Sequence, residues 1–364
     1  MTKKIICCLT VVAMTMSIAA CAGNKTETPN TIETVNPVAS ETPISTDLML
    51  QEAESYYPVT ITNYNYAKEP IEMTFYEAPT KVLAVYQNSI ETLLALGLED
   101  KIVAASGLDH DVKPEFANAF AEVHYLTEFA PDRETVIMME PDFILSWYSL
   151  FGERSLGEVD YWHQNDVNTY MMLNSGAAAE RALENEYEDI LNIGKIFNVT
   201  DKAEVIVDEI KLALEEAVQF SQGLAHKPRV LVIEFLNDDI RVYGENTLAG
   251  DMVKKIGAEL VTVEGQSISA EDLIALNPDV IFSVYFGDAS DVTVAEQSLT
   301  KIKNEPKYVS LEAVIQDKVF AISLGETYCS GIRTVDGIKR LIDGIYSGDI
   351  VNYSLLILYR LNSY

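Results

Sequence analysis

The sequence predicts an α/β fold in which two similar α/β lobes are joined by a long rigid helix. Short apolar strands alternate with helices in both halves of the chain, and this alternation is typical of a largely parallel sheet covered on both faces. A helical stretch between residues 178 and about 224 interrupts the alternation. The segments on the two sides of this stretch repeat one another, which indicates two lobes of similar structure.

The first half of the chain supplies its elements in a regular order. We expect strands at 58–61, 71–75, 81–85, 101–105, 142–146 and 167–173. Between them we expect a helix from Asn88, a short helix at 132–139 and a helix near 153–164. Asn88 with Glu91 three residues later has the spacing of a capping box, so the first helix is predicted to begin there and to end at Gly97.

The middle stretch has the composition of two helices. It contains no proline and, before Gly223, only one glycine, and its apolar residues recur at helical spacing. A break near residues 198–201 divides it, and Thr200 or Asp201 is predicted to cap the second, longer helix. The alternation of strands and helices starts again at 229–235, with further strands expected at 279–284 and 318–323.

An internal repeat relates the two halves. Residues 132–144 and 269–281 both contain a capping residue, a glutamate two positions later, apolar pairs, a Pro-Asp dipeptide and an apolar strand. Residues 81–85 correspond in the same alignment to residues 229–233. Glu134 and Glu271 occupy matching positions, near the start of a short helix that the proline stops.

The first 21 residues have the pattern of a secretory signal. Lys3 and Lys4 precede an apolar run at 5–16, and small residues lead to Cys21. The apolar run is too short to span a bilayer well. The segment resembles a bacterial lipoprotein signal, in which the cysteine receives a diacylglyceryl group, so we expect Cys21 to be lipidated. The resemblance implies an extracytoplasmic protein, anchored by lipid to the outer face of the bacterial cell membrane, on a Gram-positive surface or in a periplasm.

These patterns predict the boundaries of the chain's segments. The expected order is signal 1–21, a flexible Thr-, Pro- and Glu-rich tether 22–57, an N-terminal α/β lobe 58–178, linking helices 179–224, a C-terminal α/β lobe 225–350 and a tail 351–364. The tail is apolar and rich in β-forming residues around 354–358. Three interpretations of the tail remain open: an extra docking strand, a loosely attached end and a sequence artefact.

Composition and charge exclude several classes of function. The formal net charge of −30 repels nucleic acid, and the sequence contains no Gly-rich phosphate loop, nucleophile elbow or metalloprotease motif. We therefore predict a binding protein without catalytic residues or a resident cofactor, not an enzyme. The four histidines are scattered, so no metal site is predicted. Cys329 remains after the signal and the lipid site, so we expect no disulfide within the mature fold.

Four segments of the sequence resemble one family. Residues 81–106, the two repeated Glu-to-Pro-Asp segments and residues 331–337 (GIRTVDG) are similar to substrate-binding proteins of ABC importers. The subgroup in question has a rigid helix between its lobes and handles ferric siderophores, haem, vitamin B12 and some metal ions. The resemblance covers roughly residues 58–347. It implies a monomer with a ligand cleft between the lobes, and an ABC permease and its ATPase as partners. Glu134 and Glu271 match the residues that dock onto permease arginines.

Candidate ligand-binding residues follow the predicted strands, because ligands of open α/β sheets bind at the carboxyl ends of the strands. A further arginine, Arg241, follows the strand at 229–235. The candidates are Trp147, Tyr148, Arg154, Tyr285, Phe286, Tyr328 and Arg333.

Aromatic rings with a few arginines suit a flat, anionic ligand, through stacking and charge-assisted hydrogen bonds. We expect an iron chelate such as a ferric siderophore, with Arg333 helping to hold it. Haem, cobalamin or a metal ion bound by the same family remain alternatives, as does a sensory or adhesive lipoprotein without a transport role. Whether Cys329 contacts the ligand stays open.

Overall fold

The computed structural model describes residues 56–236, 239–287 and 292–346, which belong to one compact unit. The predicted lipidation site Cys21, most of the predicted tether and the tail at 351–364 lie outside the described residues. Within the described ranges, no helix combines the length and the apolar composition needed to cross a membrane.

The first lobe is built on a parallel sheet with the strand order β4-β3-β5-β6. An antiparallel hairpin of the first two strands packs beside it, where the Asn63 side chain bonds both backbone groups of Met171. The elements of this lobe are β1 (Val59–Tyr64), β2 (Pro70–Phe75), β3 (Val82–Val85), α1 (Gln87–Ala95), β4 (Ile102–Ser106), α2 (Ala117–Phe120), α3 (Arg133–Met139), β5 (Phe143–Trp147), α4 (Val159–Gln164) and β6 (Asn168–Met172).

Two helices, α5 (Leu183–Ile196) and α6 (Thr200–Ser221), connect the lobes. They approach each other closely at Gly194, where a Cβ atom would lie 2.5 Å from the Cβ of Ala203. Their inward-facing side chains, which include Ile190 and Ile210, are buried in a core cluster that also contains side chains of both lobes. Burial of these side chains ties the linking helices to the rest of the unit.

The second lobe is built on a mixed sheet with the strand order β10-β8-β7-β11-β12, and β9 also pairs with β7. Strands β7, β11 and β12 are parallel to one another, with β12 at the edge, whereas β8 is antiparallel to β7. The elements are β7 (Arg229–Leu236), β8 (Asp239–Val242), α7 (Leu248–Lys255), β9 (Glu259–Leu260), β10 (Ser267–Ile268), α8 (Ala270–Leu276), β11 (Val280–Tyr285), α9 (Val292–Lys303), α10 (Glu312–Ile315), β12 (Val319–Ser323) and α11 (Thr334–Tyr346).

The repeat seen in the sequence is a repeat of structure. The Asp132 side chain caps α3 by accepting a hydrogen bond from the Thr135 amide at 2.8 Å, and Ser269 caps α8 by accepting from the Asp272 amide at 3.1 Å. Both helices end in a left-handed residue before the Pro-Asp dipeptide. The prediction of two similar α/β lobes joined by helices is confirmed, whereas the segment boundaries stay predictions.

Two predicted helix caps are wrong. The N-cap of α1 is Tyr86, and no side chain caps it. Asn88 and Glu91 are buried and bond distant groups instead, so they are not free to bond the local backbone. The N-cap of α6 is Val199, whose apolar side chain accepts no hydrogen bond, and its amide closes the end of α5 by bonding the Gly194 carbonyl at 2.8 Å. Thr200 and Asp201 lie inside the first turn of α6.

Candidate ligand-binding cleft

A cavity of about 650 Å³ lies between the two lobes. Tyr86, directly after β3, and Trp147, the last residue of β5, line it from the first lobe. Tyr243, directly after β8, and Tyr328, in the segment after β12, line it from the second. Arg181, in the segment before α5, reaches the same cavity. Strand ends of both sheets therefore converge on one space, which has the size of a small-molecule site.

Aromatic rings form a continuous wall of this cavity. The ring centroids of Tyr86 and Trp147 are 3.6 Å apart, and those of Trp147 and Tyr328 are 5.4 Å apart. Tyr86 has a φ of 87°, a left-handed value that is costly for a side chain of this size. Strain of this kind persists where the surroundings fix it, and it is concentrated at functional sites.

Asn88 holds the wall in place, and Asn174 holds the neighbouring Arg181. The Asn88 Oδ1 accepts a hydrogen bond from the Trp147 indole at 2.6 Å, and its Nδ2 donates to the Cys329 Sγ at 3.2 Å. The Asn174 backbone carbonyl accepts a hydrogen bond from the Arg181 Nε at 3.2 Å. Burial raises the pKa of the Cys329 thiol well above its usual value, so Cys329 is a neutral thiol behind the aromatic wall.

The cavity presents positive charge next to its aromatic rings. The Arg181 guanidinium lies 5.3 Å from the Tyr328 ring centroid and donates to the Tyr328 hydroxyl at 3.3 Å. Its hydrogen bonds among the described residues occupy two of the five N–H donors of a guanidinium. Arg241 lies at the second-lobe side, where it donates to the Glu234 carboxylate at 3.2 Å and is half exposed. The arginines are therefore placed to donate to an anionic group in the cavity.

Two of the cavity tyrosines, Tyr86 and Tyr243, are neutral phenols. Burial, together with the neighbouring Asp109, raises the pKa of Tyr86, and burial next to Glu234 raises that of Tyr243. The Tyr243 hydroxyl donates to the Glu234 carboxylate at 3.0 Å. These rings thus offer aromatic faces and hydroxyl groups, not phenolate charge.

The structure brings together some of the predicted ligand-binding residues and separates others. Trp147 and Tyr328 line the 650 Å³ cavity. Tyr148 follows Trp147 in the chain but does not line the cavity. Its ring stacks on that of Tyr66, with the centroids 5.0 Å apart. Arg154 is exposed in the turn between Gly152 and Gly157.

Three further candidates lie outside the lining of this cavity, although Arg333 lines a small adjoining recess with Tyr86, Trp147 and Tyr328. Tyr285 and Phe286 line a separate cavity of about 200 Å³ in the second lobe. Arg333 is 5% exposed, and its guanidinium is bonded to the Glu91 carboxylate. Contact of any of these side chains with a ligand stays a prediction.

Three of the aromatic and cationic residues that line the cavity were not predicted from the sequence. Tyr86 follows β3 directly, so the same strand-end rule that selected Trp147 would have selected it. Tyr243 follows the short antiparallel strand β8, which was not expected. Arg181 lies between β6 and α5, and no local pattern marks it as a cavity residue.

Glu134 and Glu271 occupy equivalent surface positions. Each is the second residue of its helix, α3 or α8, and each is exposed. The nearest cation to Glu134 is Arg133, 3.9 Å away on the surface, and such a contact contributes little. Within the described residues, no group of three or more His, Cys, Asp or Glu side chains is arranged to hold a metal ion.

Comparisons with known proteins agree with this architecture. The model of the periplasmic binding protein family matches residues 82–323, from the first residue of β3 to the last of β12. A periplasmic binding protein from Veillonella parvula has a crystal structure that superposes with a TM-score of 0.74 at 32% identity, covering 79% of this chain and 92% of that one.

Two curated relatives come from Bacillus subtilis. The petrobactin-binding protein YclQ is 28% identical over 265 residues, covering 70% of this chain and 77% of YclQ. YvrC, an uncharacterised ABC transporter substrate-binding lipoprotein, is 21% identical over 305 residues, covering 82% of this chain and 89% of YvrC. Since the family model matches well over half of the chain and includes strands of both lobes, the chain belongs to the periplasmic binding protein family, whose members bind substrates and are not enzymes.

Proposed function

We propose that this chain is the substrate-binding component of an ABC importer, which captures an iron chelate in the cleft between its lobes and delivers it to a membrane permease. The observation that carries the proposal is the 650 Å³ cavity, in which a wall of Tyr86, Trp147 and Tyr328 adjoins the Arg181 guanidinium. Aromatic faces stack on flat rings, and guanidinium groups donate to anionic oxygens.

An intact chelate fits this lining better than a bare metal ion. A chelate supplies the ligands of its own iron and presents rings and anionic oxygens to the protein. The cavity offers complementary groups, namely neutral tyrosines and arginines. The sequence relationship to YclQ, which is named as petrobactin-binding, supports the same class of ligand.

Transport requires that the loaded protein meet a permease. Glu134 and Glu271 present equivalent exposed carboxylates, one on each lobe. Two such points, each able to accept a bidentate arginine, would fix the orientation of a two-lobed body on a permease. The relationship to YvrC, named as an ABC transporter substrate-binding lipoprotein, supports this role and a lipid anchor at Cys21 on the outer face of the membrane.

Tryptophan fluorescence tests the ligand class. Trp147 lies in the cavity, whereas Trp162 is 2% exposed in the first lobe, so Trp162 serves as an internal reference. Ferric catecholate, ferric hydroxamate, haem and cobalamin should be titrated separately, together with free Zn²⁺ and Mn²⁺. We expect a ferric chelate to quench Trp147 emission, with the quenching lost in the Trp147→Phe variant.

The same titration distinguishes the alternatives. Tight binding of haem, cobalamin or a free divalent ion, with none of a ferric chelate, would assign a different ligand to the same cleft. Binding of none of these compounds would favour a sensory or adhesive lipoprotein. Genes for a permease and an ATPase next to this one would support transport.

A further inference from the structure

The charged side chains around the ligand cavity are few, and most of them compensate one another. Among the described residues that line it, the charged ones are Arg181, Arg241 and Glu245. The balance of these charges decides which net charge on a bound chelate the cavity accommodates, because a charge that leaves water without a partner is costly.

The Arg241 charge is compensated within the second lobe. Its guanidinium donates to the Glu234 Oε2 at 3.2 Å, and the same oxygen accepts a hydrogen bond from the Tyr243 hydroxyl at 3.0 Å. The Glu234 side chain is 14% exposed, so solvent screens its charge less than that of a surface carboxylate. Arg241 therefore brings little net positive charge to the cavity.

Arg181 differs from Arg241 in its partners. Its guanidinium donates to the Asn174 backbone carbonyl at 3.2 Å and to the Tyr328 hydroxyl at 3.3 Å, and neither of these groups is a carboxylate. The other N–H donors of the guanidinium are able to bond an anionic oxygen. Among the described side chains that line the cavity, Arg181 is therefore the cation best placed to compensate a negative charge on a ligand.

Carboxylates around the cavity oppose any further negative charge. Glu245 lines it at an exposed position. Asp109 lies in the small adjoining recess and accepts a hydrogen bond from the Tyr86 hydroxyl, whereas Arg333 in the same recess is bonded to the Glu91 carboxylate. The formal net charge of −30 also repels polyanions from the whole chain. A ligand with several negative charges would thus meet more repulsion than compensation.

We infer that the cleft selects a ferric chelate with a single net negative charge, which Arg181 compensates, over a chelate with three. The inference rests on the proposed function, since it names the charge class of the chelate bound in that cleft. A catecholate brings two negative charges to Fe³⁺, and a hydroxamate brings one. The ferric complex of one catecholate and two hydroxamates is therefore a monoanion with a flat ring for the aromatic wall, whereas that of three catecholates is a trianion.

A series of chelators built on one triamine backbone tests this selectivity. Its members carry no, one, two or three catecholates, with hydroxamates at the other positions, so each step adds one negative charge to the ferric complex. Quenching of Trp147 emission measures the affinity of each complex. We expect the monoanion to bind most tightly and the trianion to bind at least about tenfold more weakly, although the trianion has more rings to stack on the aromatic wall.

Two variants test whether charge causes this order. Glu234→Gln removes the carboxylate that compensates Arg241, and Glu245→Gln removes an exposed carboxylate from the lining. Each should raise the affinity for the trianion, relative to that for the monoanion, by about threefold or more. Glu259→Gln is the control. It removes an exposed carboxylate beside Arg229, at the other end of β7, and should leave the ratio of the two affinities unchanged.

The outcomes separate this inference from the proposed function. An affinity that rises steadily towards the trianion would overturn the inference and leave the proposed function intact. A ratio that neither Glu234→Gln nor Glu245→Gln changes would also overturn it, because the order would then come from the shape of the chelates. Failure of every member of the series to quench Trp147 would overturn the proposed function, and the inference with it.

Discussion

The Arg333 guanidinium and the Glu91 carboxylate form a bidentate ion pair, with Nε–Oε2 and Nη2–Oε1 distances of 2.6 Å and 2.7 Å. Glu91 belongs to α1 of the first lobe, and Arg333 precedes α11 of the second. Both side chains are almost fully buried. The Glu91 carboxylate also accepts a hydrogen bond from the Lys113 amide at 2.8 Å. This pair therefore joins the lobes at a point distinct from the linking helices α5 and α6.

Removal of one partner of this pair should destabilise the protein. Arg333→Ala would leave the Glu91 charge buried without its partner, so we expect a loss of about 3–5 kcal/mol in the free energy of unfolding. Arg333→Ala combined with Glu91→Ala should cost less than the sum of the single changes. Urea unfolding of the empty protein measures both. An unchanged unfolding midpoint with weakened ligand binding would instead support Arg333 as a ligand contact.

Glu186 should make stability depend on pH. Its buried carboxylate accepts hydrogen bonds from the Asn174 side chain at 2.7 Å and the Gly331 amide at 2.6 Å, yet burial raises its pKa from 4.5 to about 7. The folded state then binds a proton more tightly than the unfolded state, so this group's contribution to stability is present below pH 4.5 and is lost as the pH rises through about 7.

Between pH 4.5 and about 7, the contribution of Glu186 to the free energy of unfolding should fall by roughly 3 kcal/mol. Unfolding of the unmodified chain and of Glu186→Gln should be compared at several pH values, with Glu188→Gln on the exposed face of α5 as the control. Burial also raises the pKa of Asp189, which adds a slope of the same sign to all three proteins. Parallel pH profiles for the unmodified and Glu186→Gln proteins would contradict the assignment.

Arg181 should be the cation that holds the ligand. If the ligand is an anionic chelate, Arg181→Ala removes a charge-assisted hydrogen bond worth about 1.5–3 kcal/mol, which weakens binding about ten- to a hundredfold. Arg154→Ala, at an exposed position outside the cavity lining, should leave the affinity unchanged. Quenching of Trp147 emission by the bound chelate measures the affinity of both variants. An equal loss in the two variants would place the ligand nearer to the turn at 152–157.

Glu134 and Glu271 should affect transport and not ligand capture. They lie on helix starts outside the lining of the cleft, so replacing both with Ala should leave ligand affinity close to that of the unmodified protein. Uptake into cells should fall, and Lys at both positions should be worse because it would face permease arginines. Glu153→Lys, another exposed change on the first lobe, controls for surface charge. Lost ligand binding with intact permease binding would reverse the assignment.

Cys21 should anchor the mature protein to the membrane. Expressed in a bacterium, the unmodified chain should partition into detergent and carry the mass of a diacylglyceryl group, because its signal resembles that of lipoproteins. Cys21→Ala should lose both properties. If the variant partitions like the unmodified chain, the anchor lies elsewhere.

Local chemistry allowed much of the fold to be predicted from the sequence. The Asp132 and Ser269 caps, the Pro-Asp dipeptides and the short apolar strands act through neighbouring residues, so they are visible without tertiary information. The Pro-Asp repeat even fixes a contact between strands. The Asp142 amide bonds the Lys81 carbonyl at 3.0 Å, and the Asp279 amide bonds the equivalent Arg229 carbonyl at 2.9 Å.

Tertiary structure decided which polar residues act locally and which act at a distance. Asn88 and Glu91 have the spacing of a capping box, but burial between the lobes gives them partners more than two hundred residues away, Cys329 and Arg333. A buried charge is costly without a partner, and the partner is whichever group the packing brings near. A spacing rule that considers one helix alone is unable to foresee this outcome.

The same dependence on packing explains which parts of the site could be predicted from the sequence. The sequence by itself determined that aromatic residues follow the strands, and two of these residues, Trp147 and Tyr328, line the cavity. Only the tertiary structure decided which strand ends converge, because the mutual orientation of the two sheets is set by the packing of the lobes and linking helices. That packing brings Arg181 to the cavity and buries Arg333 against Glu91, although both are arginines in connecting segments.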